Sequence, residues 1–293
     1  KGAAETPSSQ PQQKAEGLFG IKRRLKRHCQ GRGKKDAPAF GLKGRQLYDR
    51  IKQSEQKGRG RMEISQRLQA VAQFVTGPVV ADIGTDHGYI PIYLVQTGKA
   101  KKVIAADVRP GPLARAREHI AQYGLNASIE TRLGSGLSVL SPGEVQTVVV
   151  SGLGGMLLCS LLEEGAAVVA SVKQLVLQPQ LDVPAVRDAV HRCGFAICQE
   201  QMVYEEGKFY TVLDCIRGEE APYNKAELRF GRRNIEKRCP VLREYLRYLW
   251  QQTKKQRRFA AQGQTDRAIA RQRELEAEQN FLQEVFSCYE GQS

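Results

Sequence analysis

The stretch Val79–Pro91 constrains this chain more than any other. It reads Val-Val-Ala-Asp-Ile-Gly-Thr-Asp-His-Gly-Tyr-Ile-Pro: a short apolar run carrying an acid, a glycine turn, then the start of a helical pattern. A near-continuous apolar strand is the mark of a parallel sheet covered on both faces. Gly84 and Gly88 permit backbone conformations that a Cβ would penalise and let a ligand approach the main chain. Asp82, at the carboxyl end of the strand, lies where open α/β sheets bind ligands. The stretch predicts a nucleotide-type cofactor loop.

The same pattern recurs downstream. Strands are expected at Lys102–Asp107, Ser128–Leu133, Val145–Val150 and Gln174–Leu177. Helices are expected at Tyr89–Gln96, Gly111–Tyr123, Gly154–Glu164 and Asp182–Cys193, the last with Asp182 as N-cap. Upstream, Met62–Val75 has helical periodicity, with Ser65 able to cap and Gly77-Pro78 closing it. Phe195–Tyr204 and Lys208–Ile216 read as a hairpin about Glu205-Glu-Gly207. Alternating strands and helices with an antiparallel closing hairpin define an α/β fold, a Rossmann-like doubly wound seven-stranded sheet. The closing hairpin fits the class I methyltransferase sheet better than the six-stranded dinucleotide fold. From Ala221 polar helices take over, one over about Pro240–Ala261 and one over about Asp266–Phe286. Leu242, Leu246 and Leu249 are expected to face Ile269, Leu275, Leu282 and Val285 in a C-terminal α-helical (coiled-coil) hairpin.

Charge follows the same division. The formal net charge of +14 belongs to the ends: residues 1–61 carry 17 Lys and Arg against 5 Asp and Glu, and residues 221–293 carry 15 against 9. Residues 62–220 are acidic, with 13 against 17. Three segments result: a basic, disordered extension over 1–61, a cofactor-binding domain over 62–220, and a helical hairpin over 221–293. The basic run Ile21–Arg27 reads as a phosphate-binding arm or an idle tail. The first methionine is Met62, where folded character begins, so residues 1–61 are expected to be an addition to the native chain. No apolar run approaches the roughly 18–20 residues that span a bilayer. The seven cysteines are scattered without a CxxC pair, as are the four histidines. The expectation is a cytoplasmic monomer with reduced thiols and no metal.

Asp82 and Asp107 close consecutive strands, and an acid about 20 residues beyond a glycine loop takes ribose hydroxyls. That ribose is common to NAD and S-adenosylmethionine, but the loop separates them. It has Asp86 between Gly84 and Gly88 where a dinucleotide loop offers bare amides, and acids there suit a cation rather than a pyrophosphate. The donor expected is S-adenosylmethionine. The glycines of Arg132-Leu-Gly134-Ser135-Gly would flank its adenine. Ser151-Gly152-Leu-Gly-Gly155, after the fourth strand, is where methyltransferases meet the target atom. It lacks the Asn/Asp-Pro-Pro-aromatic motif used on exocyclic amines. Small residues there suit a ring nitrogen with an exposed lone pair, where transfer rests on positioning. Gln178-Pro179-Gln180 can read a base edge, and Tyr210 in Gly207-Lys-Phe-Tyr can stack.

Taken together, Ser65-Gln-Arg-Leu68, Ala81–Pro91, Ala106-Asp-Val108, Gly111-Pro-Leu113, Arg132-Leu-Gly134, Ser151–Gly155, Leu177-Gln-Pro179 and Gly207–Tyr210 resemble the bacterial tRNA (adenine(22)-N1)-methyltransferases. The resemblance covers Met62 to about Gly218. It implies that Asp82, Gly84, Asp86, His87, Gly88, Asp107, Val108, Gly134 and Ser135 hold S-adenosylmethionine, with Arg67 near its carboxylate. It implies that Ser151, Gly152, Gln178, Pro179 and Tyr210 serve the transfer, and that tRNA is the partner, gripped by the C-terminal hairpin. Ser135 stands where the family has an acid, and Gln180 where it has Asn. These departures keep two alternatives open: a degenerate methyltransferase acting as an RNA-binding module, and a small-molecule methyltransferase.

Overall fold

The computed structural model describes residues 60–290. The basic arm read over 1–61, with its run Ile21–Arg27, lies outside them except for Gly60 and Arg61. Met62 is buried, and its amide donates to Gln96 Oε1 at 2.7 Å.

Helix α1 spans Gln66–Phe74, shorter than the periodicity suggested. The Ser65 hydroxyl accepts from the Leu68 amide at 3.4 Å, so the capping residue sets the start and the residues before it stay out of the helix. Then follow β1 (Val79–Ile83), α2 (Tyr89–Gln96), β2 (Lys102–Asp107), α3 (Pro110–Gln122), β3 (Ile129–Leu133) and a 3₁₀ turn over Gly136–Val139. Next come β4 (Thr147–Leu153), α4 (Gly155–Glu164), α5 (Ala166–Ser171), β5 (Gln174–Pro179) and α6 (Val183–Arg192). Strands β6 (Phe195–Glu205) and β7 (Lys208–Arg217) close the sheet. Short helices α7 (Lys225–Phe230) and α8 (Arg232–Glu236) lead to α9 (Pro240–Ala260) and α10 (Asp266–Glu290).

The sheet has seven strands in the order β3-β2-β1-β4-β5-β7-β6. The first five pair in parallel, and β7 joins β5 and β6 antiparallel. Alternation along the strands feeds two cores. Val148, Val150, Leu175 and Leu177 pack with Leu158, Leu162, Val186 and Val190 on one face. Val149 and Val176 join Val71, Phe74, Ile92, Leu94 and Ile120 on the other. A buried strand residue thus contributes to one core or the other by its parity. The β6–β7 turn places Glu206 at φ 50° and Gly207 at φ 78°, the paired positive angles of a two-residue hairpin.

Two expectations change. Asp182 precedes α6 in a left-handed conformation and makes no capping bond with its side chain. Ile269 is exposed rather than packed in the hairpin seam; Leu242, Leu246, Leu275, Leu282 and Val285 are buried as expected. Helices α9 and α10 fold back on each other, with the Tyr289 hydroxyl donating to Cys239 O at 2.6 Å at one end and Gln272 Nε2 to Ala260 O at 2.9 Å at the other.

Their root is fastened to the sheet domain. Met202 of β6 packs with Phe230, Leu242, Leu246 and Leu282. Arg187 of α6 and Glu200 of β6 form a fully buried pair at 2.7 Å; Arg187 also donates to Leu228 O, and Glu200 accepts the Arg233 amide. Removing one partner of such a pair would strand a buried charge, at a cost of about 3–5 kcal/mol. Gly231, at φ 91°, lies so close against the Glu200 carboxylate that a Cβ would overlap it.

Candidate functional site

A cleft of about 800 Å³ opens at the carboxyl ends of β1, β2 and β4. Parallel pairing puts the chain's chemistry there in one row: Ile83 beside Ala106 and Val150, Asp107 beside Leu133, Ser151 beside Gln178. Asp82, Gly84, Asp86, Asp107, Val108, Gly134, Ser135, Arg67, Ser151, Gly152 and Tyr210 all line it. His87, Gly88, Gln178 and Pro179 do not.

The first wall is made by the β1, β2 and β3 ends. The amides of Gly84 and Thr85 donate to Ala106 O at 2.9 and 2.8 Å, and the Gly134 amide to Asp107 O at 3.1 Å, tying the three loops together. Gly84 sits at φ 77°, and a Cβ on Gly134 would come within 2.5 Å of Val139 Cγ1, so both positions need glycine. Asp107 Oδ1 accepts the Arg109 amide at 2.7 Å. Burial pushes the Asp82 carboxyl up to about 7; the Thr85 hydroxyl opposes the rise and the Asp107 charge adds to it. Among the described residues no cation pairs with Asp82, and the Arg109 guanidinium, 3.7 Å from Asp107, is mostly exposed. The wall therefore presents two buried carboxyls whose charges attract a cation and repel a phosphate.

His87 and Gly88 shape this wall from behind. His87, at φ 60°, stacks on Tyr89 with centroids 5.4 Å apart, and its carbonyl lies 2.9 Å from His119 Nδ1. Gly88 starts α2 at φ 71°, where a Cβ would meet Ala116 Cβ at 3.3 Å.

The second wall is a different construction. The Arg67 guanidinium, from α1, donates through Nη1 to Gln178 Oε1 at 2.6 Å and Ser151 Oγ at 3.2 Å, and lies 5.4 Å from the Tyr210 ring centroid. Ser151 Oγ also donates to Gln178 Oε1 at 3.2 Å, and Gln178 Nε2 to Pro179 O at 3.0 Å. Gln178 is fully buried with both ends of its amide engaged, so it braces Arg67 and Ser151. Gln180 is exposed and lines the cleft beside Gly152. Gly152, at φ 82°, falls at a register shift between β4 and β5, a bulge that turns the strand end into the cleft.

Residues unnoticed as site residues also line the cleft: Leu153 at the end of β4, Leu157 and Leu161 of α4, and Glu205 and Glu206 where β6 ends and the hairpin turns. Glu205 Oε1 accepts the Gln66 amide at 2.7 Å across 139 residues of sequence, a pairing without any local signal. No group of three or more His, Cys, Asp or Glu side chains among the described residues could hold a metal.

Sheet order, glycine-lined acidic cleft and bulged fourth strand define a class I methyltransferase, and residues 64–213 match a family model described as a methyltransferase domain. A tRNA (adenine(22)-N(1))-methyltransferase of Bacillus subtilis is 36% identical over 172 residues, 58% of this chain and 72% of that protein. The chain belongs to the tRNA (adenine(22)-N1)-methyltransferase family. Among solved structures, the Bacillus subtilis M1A22 tRNA methyltransferase superposes with a TM-score of 0.69 at 29% identity, covering 77% of this chain and 99% of that one. A Streptococcus pneumoniae candidate tRNA (m1A22) methyltransferase in complex with S-adenosyl-L-methionine superposes with a TM-score of 0.66 at 32% identity, covering 76% and 99%.

Proposed function

We propose that this protein transfers a methyl group from S-adenosylmethionine to N1 of adenine 22 in tRNA. The single observation that carries the reading is the pairing of a cation-seeking carboxylate wall with a braced, small-residue wall in one cleft. The relatives' activity supports it.

The donor fits the residues present. Its sulfonium and ammonium suit Asp82 and Asp107, and the glycine main chain at Gly84 and Gly134 leaves room for nucleoside and amino-acid parts. Bound there, it supplies an electrophilic methyl on a cationic sulfur. Asp107, with Oδ1 fixed by the Arg109 amide, offers its other oxygen to a ribose diol. Val108, Gly134 and Ser135 flank the adenine of the donor. Arg67, braced by Gln178, keeps its remaining donors for the carboxylate. His87 and Gly88 act through the loop conformation.

At the second wall Ser151, Gly152 and Gln180 border the target base, and Tyr210 closes the side. N1 of neutral adenine has a free lone pair, so no general base is needed, and positive charge moves from donor to base as the methyl moves. Catalysis then rests on alignment, which can contribute roughly 7–11 kcal/mol. N1 is a Watson–Crick atom, so adenine must enter unpaired or flipped. The C-terminal helices carry the RNA-binding role. No helix among the described residues is long and apolar enough to cross a membrane, which fits work on tRNA in the cytoplasm.

The test is a nucleoside digest of unmodified tRNA transcript after incubation with enzyme and S-adenosylmethionine. The expected result is one 1-methyladenosine per tRNA. Cofactor binding without that nucleoside, using a tRNA competent for a relative, refutes the reading in favour of an RNA-binding module.

A further inference from the structure

The charge of residues 221–293 is not spread along the helices. Residues 254–273, the far end of the α9–α10 hairpin, carry seven Lys and Arg against Asp266 alone. The rest of the region holds eight residues of each sign. The root is neutral in its contacts too. Arg229 pairs with Glu278 at 2.6 Å, Arg232 with Glu227 at 2.9 Å, and Arg233 with Glu220 and Glu236, each at 3.0 Å. These arginines, with their acidic partners, therefore fasten the root of the hairpin rather than offer free charge.

The far end differs. Arg257 reaches Glu276 and Arg271 reaches Glu274, but Lys254, Lys255, Arg258, Arg267 and Arg273 are exposed and make no ion pair among the described residues. Cations in the last turn of α9 complement its dipole, yet Arg267 in the first turn of α10 opposes it. Helix stability alone does not account for that placement. Phe259 stands among these charges with 79% of its surface exposed, more than any other large apolar side chain described. It lies four residues after Lys255 and so shares its face. An exposed ring beside unpaired cations on a rigid support is the composition that holds single-stranded nucleic acid, with phosphates on the cations and a base on the ring.

We propose that the tip of the α9–α10 hairpin is a second RNA-docking site, where Lys254, Lys255, Arg258, Arg267 and Arg273 take the phosphate backbone and Phe259 stacks on an unpaired base of the same tRNA. This rests on the tRNA reading above and extends it to a point remote from the cleft: the 21 residues of α9 rise about 30 Å from its root. The enzyme therefore holds its substrate at two separated places, and the tip contributes affinity without touching the reacting atoms.

Fluorescence anisotropy with labelled tRNA transcript tests this on the full chain. Phe259→Ala should weaken binding roughly 5- to 150-fold, the range of one base–aromatic stack, and Phe259→Trp should restore it. A Lys254→Gln, Lys255→Gln, Arg258→Gln variant should reduce the slope of log affinity against log salt by about 2–3. Cofactor affinity and the kcat at saturating tRNA should stay unchanged in both. tRNA affinity within twofold of wild type in both variants overturns the tip site, as does a wild-type tip that binds phosphatidylserine vesicles with tRNA affinity untouched by the substitutions. A wild type that never methylates tRNA while both variants lose tRNA affinity refutes the methyl-transfer reading and supports the tip site.

Discussion

On the β1–β3 side of the cleft the ligand meets carboxylates and bare main chain; on the β4–β5 side it meets an arginine held by a buried glutamine, a serine, a ring and a glycine bulge. The first wall is made by residues at strand ends and in the loops that follow, each close in sequence to the strand that positions it. The second is assembled from α1, β4, β5 and β7, whose contributions are far apart in sequence. The difference teaches where binding and alignment reside. Electrostatic attraction for a cation needs only charge in a buried place, whereas in-line alignment needs side chains locked by their neighbours.

Substitutions can break this division. Asp107→Ala should weaken S-adenosylmethionine about 10- to 150-fold by calorimetry, the value of hydrogen bonds to a charged group, while tRNA affinity holds. An unchanged cofactor affinity would remove Asp107 from the donor wall. Gly152→Ala forces a side chain into φ 82° at the bulge, at a cost of about 1–2 kcal/mol, and a displacement of the strand end near 1 Å can lower kcat by about 10²-fold. Its cofactor affinity should change less than its kcat. The smallest effect concerns Asp82 and stability. Its carboxyl is raised in the folded protein to about 7 from 3.8, so the favourable contribution of the protonated acid is complete below about pH 4 and is lost as pH rises through 7. Asp82→Asn should therefore melt above wild type at pH 8, and the gap should narrow as pH falls through 7 to 5 and close below about pH 4. Cofactor affinity of the wild type should rise as pH is raised from 5 to 8, because the cation favours the ionised acid. A gap that widens toward low pH would contradict this.

What could be read from the chain follows the same line. The strand ends Asp82 and Asp107, the glycine turn and the Glu205–Gly207 hairpin are encoded by neighbours in sequence, and the structure places them where the pattern put them. The α5 helix went unread because Ala166–Ser171 is a single short run with two β-branched residues. The bracing of Arg67 by Gln178 spans 111 residues, and no local pattern announces it. Residue chemistry offers Gln178 as a polar group for a base edge; burial adds the bracing of Arg67 and Ser151, which the chemistry alone does not announce. The same limit applies to charge. Arg229, Arg232 and Arg233 look identical in sequence to Lys255 and Arg258, and only their acidic partners separate fastening from free charge. Family resemblance supplied the tRNA, which no single residue names.

Gln178→Ala separates the two walls most directly, since Gln178 touches Arg67 and Ser151 and does not line the cleft. Measured side by side, its S-adenosylmethionine dissociation constant should stay within about threefold of wild type, because Arg67 keeps Ser151 Oγ and the Tyr210 ring as supports and its free donors for the carboxylate, while single-turnover methylation of tRNA at saturating cofactor falls by about 10–10²-fold, the scale of lost alignment. Equal losses in cofactor affinity and methylation rate would contradict the division of the cleft into a donor wall and an alignment wall.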